Sequence, residues 1–345
     1  MKNLTFLILF LPLFLSCNKE QNTPSGSFLT GDGVFLINEG NFTGGNGSLS
    51  FYSYDSLKIY NDLFEIVNGR PLGDVPNSMD LKNDLAYIIV NNSGKIEVIK
   101  KSTLESVKTI TGIISPRNIA FASADKAYVT SMYSDSLVII NLNDNTVSGY
   151  INLRRSSESI VVRGDRAFVA NWVGGSEVMV INTLTDQVFD SISVGIEPES
   201  MVLDKIGMVW VLCNGGWSRE NYAEIDEIST ATNEVVQRII FPTKQASPSC
   251  LTINGDGDTL YYLETGVRRL SITASALPAD PLIPESGHYF YKLGINPENT
   301  DIFVTDAVDY QQNGHLLYYK SDGTFVKSLD TGIIPGSMCF KNAGK

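Results

Sequence analysis

One signature recurs along this chain and limits what it can fold into: a proline or small residue, two further residues, then an apolar one. It reads Pro76-Asn77-Ser78-Met79, Pro116-Arg117-Asn118-Ile119, Pro198-Glu199-Ser200-Met201, Pro248-Ser249-Cys250-Leu251 and Pro335-Gly336-Ser337-Met338. Ser157-Glu158-Ser159-Ile160 is the same signature without proline, and a degraded copy begins near His288. The copies lie about 40 to 50 residues apart, the period of propeller blades.

Each repeat has the same internal order. The lead-in feeds a short apolar strand, then a turn rich in Asp, Lys, Asn and Gly, such as Lys82-Asn83-Asp84 or Arg163-Gly164-Asp165. The second strand is rich in β-branched and aromatic residues, as at 86–90, 127–130, 167–170 and 208–212. A polar loop leads to a third strand (95–99, 136–140, 177–181), and a weaker fourth strand closes the unit. One such sheet cannot bury both faces; stacking in a ring does so and removes the open ends. The last lead-in, 335–340, has no blade after it. Residues 34–38, 48–52 and 63–67 read as second, third and fourth strands lacking a first. The expectation is an all-β, seven-bladed propeller of four-stranded antiparallel blades, with the C-terminal strand closing the N-terminal blade. Two smaller β domains are the alternative.

The first residues read differently. Lys2 precedes a nearly unbroken apolar run, 4–15, which ends at Ser16-Cys17. That run is too short to span a membrane as a helix and reads as an export signal. Phe14-Leu15-Ser16-Cys17 resembles a bacterial lipobox, which implies lipidation of Cys17 and anchoring at the outer membrane; Lys19-Glu20 resembles in part the surface-export signal of Bacteroidetes lipoproteins, which implies exposure at the cell surface, with periplasmic retention the alternative. The expected division is 1–17 signal, 18–29 flexible tether and 30–345 propeller. The net charge of -12 supplies no positive field for phosphate, so nucleic acid is not an expected partner. Cys213, Cys250 and Cys339 sit in apolar runs and form no CxxC pair. They read as buried thiols, or as one disulfide with an odd thiol.

In a four-stranded blade the lead-in and the connection after the second strand reach the same face. The candidate ligand-binding rim is therefore Asn38, Glu39, Phe42, Asn77, Asn91, Asn92, Arg117, Met132, Tyr133, Glu158, Asn171 and Trp172, continued by Glu199, Asn214, Trp217, Arg219, Tyr222, Ser249, Glu264, Asp306 and Tyr310. Aromatics supply rigid apolar area and carboxamides orient a ligand. Any one Asn also serves simply as a turn residue, and a loop tryptophan also serves as a cap on the core. Trp210 alternates inside a second strand and reads as core. Catalytic signatures are missing from the sequence: there is no HExxH and no GxSxG, and no residue is assigned to catalysis or to a metal. Glycoside chemistry by rim carboxylates is the enzymatic alternative.

Ala127-Tyr128-Val129-Thr130 and Val178-Met179-Val180-Ile181-Asn182 resemble the YVTN-type bacterial surface-layer propellers. With the lipobox, the chain resembles the DUF5074 family of Bacteroidetes propellers over roughly 30–340. That resemblance implies a non-enzymatic lipoprotein that binds cobalamin or a related corrinoid and passes it to a TonB-dependent outer-membrane transporter. An envelope interaction scaffold and a glycan-binding or glycan-cleaving propeller are the alternatives.

Overall fold

The structure is a computed structural model, and it describes residue 29 and residues 31–342. The signal, Cys17 and the tether as far as residue 28 lie outside the described residues. The rest is a ring of seven four-stranded antiparallel sheets. Their inner strands are Pro335–Lys341 in blade 1, Pro76–Lys82 in blade 2 and Pro116–Phe121 in blade 3. Ile160–Arg163, Pro198–Leu203, Ser249–Ile253 and Phe290–Ile295 follow in blades 4 to 7. Blade 1 is composite: Pro335–Lys341 pairs antiparallel with Gly33–Asn38, with Val34 opposite Phe340 and Leu36 opposite Met338.

The second strands are apolar through their central positions because both of their faces are covered. Tyr87 and Ile89 pack toward blade 3, while Ala86 and Ile88 pack toward blade 1. Trp210 and Leu212 face blade 6; Val209 and Val211 face blade 4. An apolar cluster accordingly fills each of the seven seams. Trp210 is fully buried, and its indole N–H donates to Asp204 at 3.0 Å, so the cost of burying that N–H is offset.

Residues 63–67 are not the fourth strand of blade 1. That strand is Lys58–Tyr60, and Leu63–Asn68 is a helix ending at Gly69, whose φ of 64° suits glycine. Leu63, Phe64 and Val67 put one helical stripe onto the blade 1–2 seam, a spacing that also fits a short apolar strand.

At the lower end of the ring, the Lys341 ammonium is buried. It donates to the Leu29 carbonyl and, at 2.9 Å, to that of Gly31. This ties the chain entering blade 1 to the strand that completes it.

Candidate functional site

The inner strands all run downward from one mouth of the ring, and their first residues are irregular. The register with the second strand slips between Pro76 and Ser78, Pro116 and Ile119, Pro198 and Ser200, and Ser249 and Thr252. Such a bulge inserts an unpaired residue and re-aims a side chain. Ahead of it, Val75, Ser115, Glu197 and Ile334 hold φ between 41° and 56°. For the β-branched Val75 and Ile334 this costs roughly 1–3 kcal/mol each. The lead-in signature is thus a strained turn plus a bulge, and it turns its second and third residues toward the axis.

Pairing also corrects the register of blade 7. Phe290 lies opposite Asp306 and Leu293 opposite Val304, as Pro116 lies opposite Ser131 and Ile119 opposite Val129. The lead-in is Phe290-Tyr291-Lys292-Leu293, two residues beyond His288; an aromatic residue stands where the other blades carry proline or serine. The third positions around the mouth are then Ser78, Asn118, Ser159, Ser200, Cys250, Lys292 and Ser337. All of these but Ser78 help to enclose an axial cavity of about 220 Å³, which Asn77, Glu158 and Glu199 also line.

Charges of both signs meet at this mouth. The Arg117 guanidinium donates to both Glu158 oxygens, at 2.7 and 2.8 Å, in the bidentate geometry that suits this pair. Glu39 accepts the Tyr291 hydroxyl at 2.9 Å. Burial raises its carboxyl above the ordinary range, and Lys292, Tyr291 and Arg117 oppose that rise. Glu199 accepts from the Cys250 N–H at 3.0 Å and from Ser200 Oγ at 2.7 Å. The Lys292 pKa is raised by the electrostatics of Cys250 first, then of Tyr291, Glu199 and Glu39; near neutral pH, where thiol and phenol are protonated, the carboxyl groups supply the negative charge. Burial pushes the Cys250 thiol up to about 11, so it stays protonated at neutral pH and is a poor nucleophile.

Above these groups the rim is aromatic. Phe42, Tyr133, Trp217, Tyr222, Tyr289 and Tyr310 are all exposed on the upper connections, Trp217 to 90%. Tyr310 packs edge-on against Tyr289 and Tyr291 at ring separations of 5.3 and 5.6 Å. Phe42, Asn91, Asn92, Met132 and Tyr133 line an open groove of about 480 Å³ beside the mouth. Tyr222 stacks under the Lys244 ammonium, and the Arg219 guanidinium donates to the Gln245 carbonyl.

The sequence candidates therefore separate. Asn77, Arg117, Glu158, Glu199 and Ser249 converge on the mouth, with Glu39 joined to them through Tyr291. Phe42, Met132, Tyr133, Trp217, Arg219, Tyr222 and Tyr310 form the rim. Trp172 is half-buried with Arg117 over its ring at 6.0 Å, and its indole N–H has no partner among the described residues. Several carboxamides are occupied by the fold. Asn38 is fully buried and donates to Ser48 and Ser50. Asn91 donates to Ser115 and Pro116, Asn92 to Asp74 and Asn171 to Ser156, while Asn214 accepts from Gly216. Asp306 is buried and holds His288 at 2.7 Å and the Tyr289 N–H at 3.1 Å. Glu264 pairs with Arg268 on the outer flank, away from the axis. Tyr291, Lys292 and Cys250 escaped the sequence reading; aligning third positions in the corrected register finds them.

Residues 32–334 match the family described as "Domain of unknown function (DUF5074)", and the chain belongs to it. No curated protein matches the chain. Among solved structures it is similar to a quinonprotein alcohol dehydrogenase-like protein from Bacteroides thetaiotaomicron. Identity is 15% and the TM-score 0.69, with 90% of this chain and 78% of that one covered. It is also similar to a putative 6-phosphogluconolactonase from Bacteroides fragilis, with 12% identity, a TM-score of 0.67 and coverage of 90% and 98%. Hydrazine synthase from Kuenenia stuttgartiensis matches with 14% identity, a TM-score of 0.62 and coverage of 76% and 89%. At these identities the likeness is one of fold, and the fold hosts varied functions.

Proposed function

We propose that this protein is a non-enzymatic carrier of the cell envelope, held at the outer membrane by a lipid on Cys17, whose upper mouth captures a corrinoid and hands it to a TonB-dependent outer-membrane transporter. The observation that carries the reading is the ring of six exposed aromatic side chains around a polar mouth with charges of both signs. Rigid aromatic area with a few placed polar groups suits a large amphipathic ligand. The axial cavity is too small for a macrocycle, which would lie across the rim with its edge amides toward Asn77, Arg117 and Lys292. The mouth carboxylates are engaged by Arg117, Tyr291 and Ser200, which weighs against a free pair for glycoside cleavage. A protein partner is the second reading, because the same aromatic rim would serve as an interface.

Calorimetric titration of the purified protein with cyanocobalamin and with cobinamide tests the proposal. Saturable binding of both is expected. The absence of binding heat and of co-elution on size exclusion for either compound overturns the ligand class, and co-purification of an envelope protein through the same face then favours the second reading.

A further inference from the structure

The outer flank between blades 5 and 6 holds a second cavity, of about 570 Å³. It exists because blade 6 is incomplete. Its third strand, Gly266–Ser271, is followed by an excursion, and the fourth strand is reduced to Ile283–Pro284. Residues 272–282 stand off from the sheet instead of adding a ladder. Their position is fixed on both sides. The Arg268 guanidinium donates to the Pro278 and Ala279 carbonyls at 3.0 and 3.2 Å, and the Gln237 amide donates to the Ala274 carbonyl at 2.8 Å.

The apolar walls are Phe241, Pro242, Ala246, Leu277 and Pro278; Tyr262, Arg238, Glu264 and Arg268 line the cavity as well, and Arg238 is engaged by Glu224 and Asp226. Tyr262 is fully buried, packs edge-on against Phe241 at 5.8 Å, and has a hydroxyl with no hydrogen-bond partner among the described residues. An unsatisfied buried donor is costly and calls for a partner. Arg268 and Glu264, which both influence that hydroxyl, already pair with each other at 2.8 Å, so the adjoining charge is balanced.

We propose that this flank cavity is a second ligand site, separate from the mouth, for a small, neutral, mainly apolar molecule that presents one hydrogen-bond-accepting oxygen to Tyr262. The volume falls within the range of small-molecule pockets, about 300–1,000 Å³. A charged ligand would meet no free counter-charge beside Tyr262.

Protein-detected NMR titration with 1-indanone and with indane, which lacks the oxygen, tests this. Indanone should give saturable shifts confined to the amides around Ala246 and Leu277, and should bind about tenfold more tightly than indane. Tyr262→Phe should abolish that difference while leaving both compounds bound, and Leu277→Trp should block both. Equal affinities in the wild type, no saturable shifts at this flank, or a crystal soak showing only solvent on Tyr262 would overturn the site. Corrinoid titration at the mouth is a separate readout, so either site can fail alone.

Discussion

The two mouths of the ring are made by the same chain circuit and differ in almost everything else. At the lower mouth the strands turn back in tight hairpins shaped by residues such as Asn83 and Gly164, whose φ values are 54° and 59°. The large apolar side chains exposed on those turns are aliphatic: Leu57, Leu184 and Ile206. At the upper mouth the connections are longer, as at 39–47 and 214–223, and they carry the six exposed aromatics of the rim, while Tyr150, Phe189 and Phe325 are exposed on outer strands. Hairpin geometry confines the lower turns to a few backbone conformations, whereas the upper loops need only bridge strand ends and so are free to carry binding groups.

The largest effect expected lies in what holds both mouths in one ring. Deleting residues 335–345 leaves Gly33–Asn38 without its inner partner and opens the seam between blades 7 and 1. That loss should exceed the whole folding free energy of roughly 5–15 kcal/mol. Loss of near-UV circular dichroism and aggregation on size exclusion are expected; a soluble, cooperatively melting product would mean that closure is dispensable. A mirrored pair of double variants sets the mouths against each other. Trp217→Ala with Tyr133→Ala should weaken corrinoid binding about 30-fold. Leu184→Ser with Ile206→Ser should leave affinity unchanged and stability within about 0.5 kcal/mol. Equal losses at both mouths in calorimetry would erase the functional distinction.

The smallest effect concerns protons. Charges of both signs meet at the upper mouth, but Asp80, lower on an inner strand, has no hydrogen-bond partner among the described residues, and burial pushes its carboxyl up to about 7. The folded state keeps a proton that the unfolded chain releases above about pH 4. Its contribution to stability therefore falls as pH rises from about 4 to 7, then levels off. Asp80→Asn should raise stability by about 1–2 kcal/mol at pH 8, with the gain vanishing near pH 4. Parallel melting curves for the two proteins across that range would contradict this.

Much of the ring was legible because it repeats. The lead-in prolines, the doubly apolar second strands and the orphan strand at 335–340 each state one demand of the fold, and together they fix blade number and closure. Trp210 was placed in the core by its alternation alone. What resisted reading is where the repeat breaks. Phe290 in place of proline hid the register of blade 7, and with it Tyr291 and Lys292. Residues 63–67 carry a spacing that serves helix and strand alike. The flank cavity comes from a segment, 272–282, that resembles nothing else in the chain. The difference between Trp172, half-buried beside Arg117, and Trp217, standing in solvent, depends on loop packing that no periodicity encodes.

The Lys341 contact with Leu29 and Gly31 has a directional consequence. It pins Leu29 and Gly31 to the underside of the ring, beside the last strand, so the described chain begins and ends on the side away from the aromatic rim. Under the proposed lipid mooring, attachment at that end would leave the aromatic crown as the face turned from the membrane.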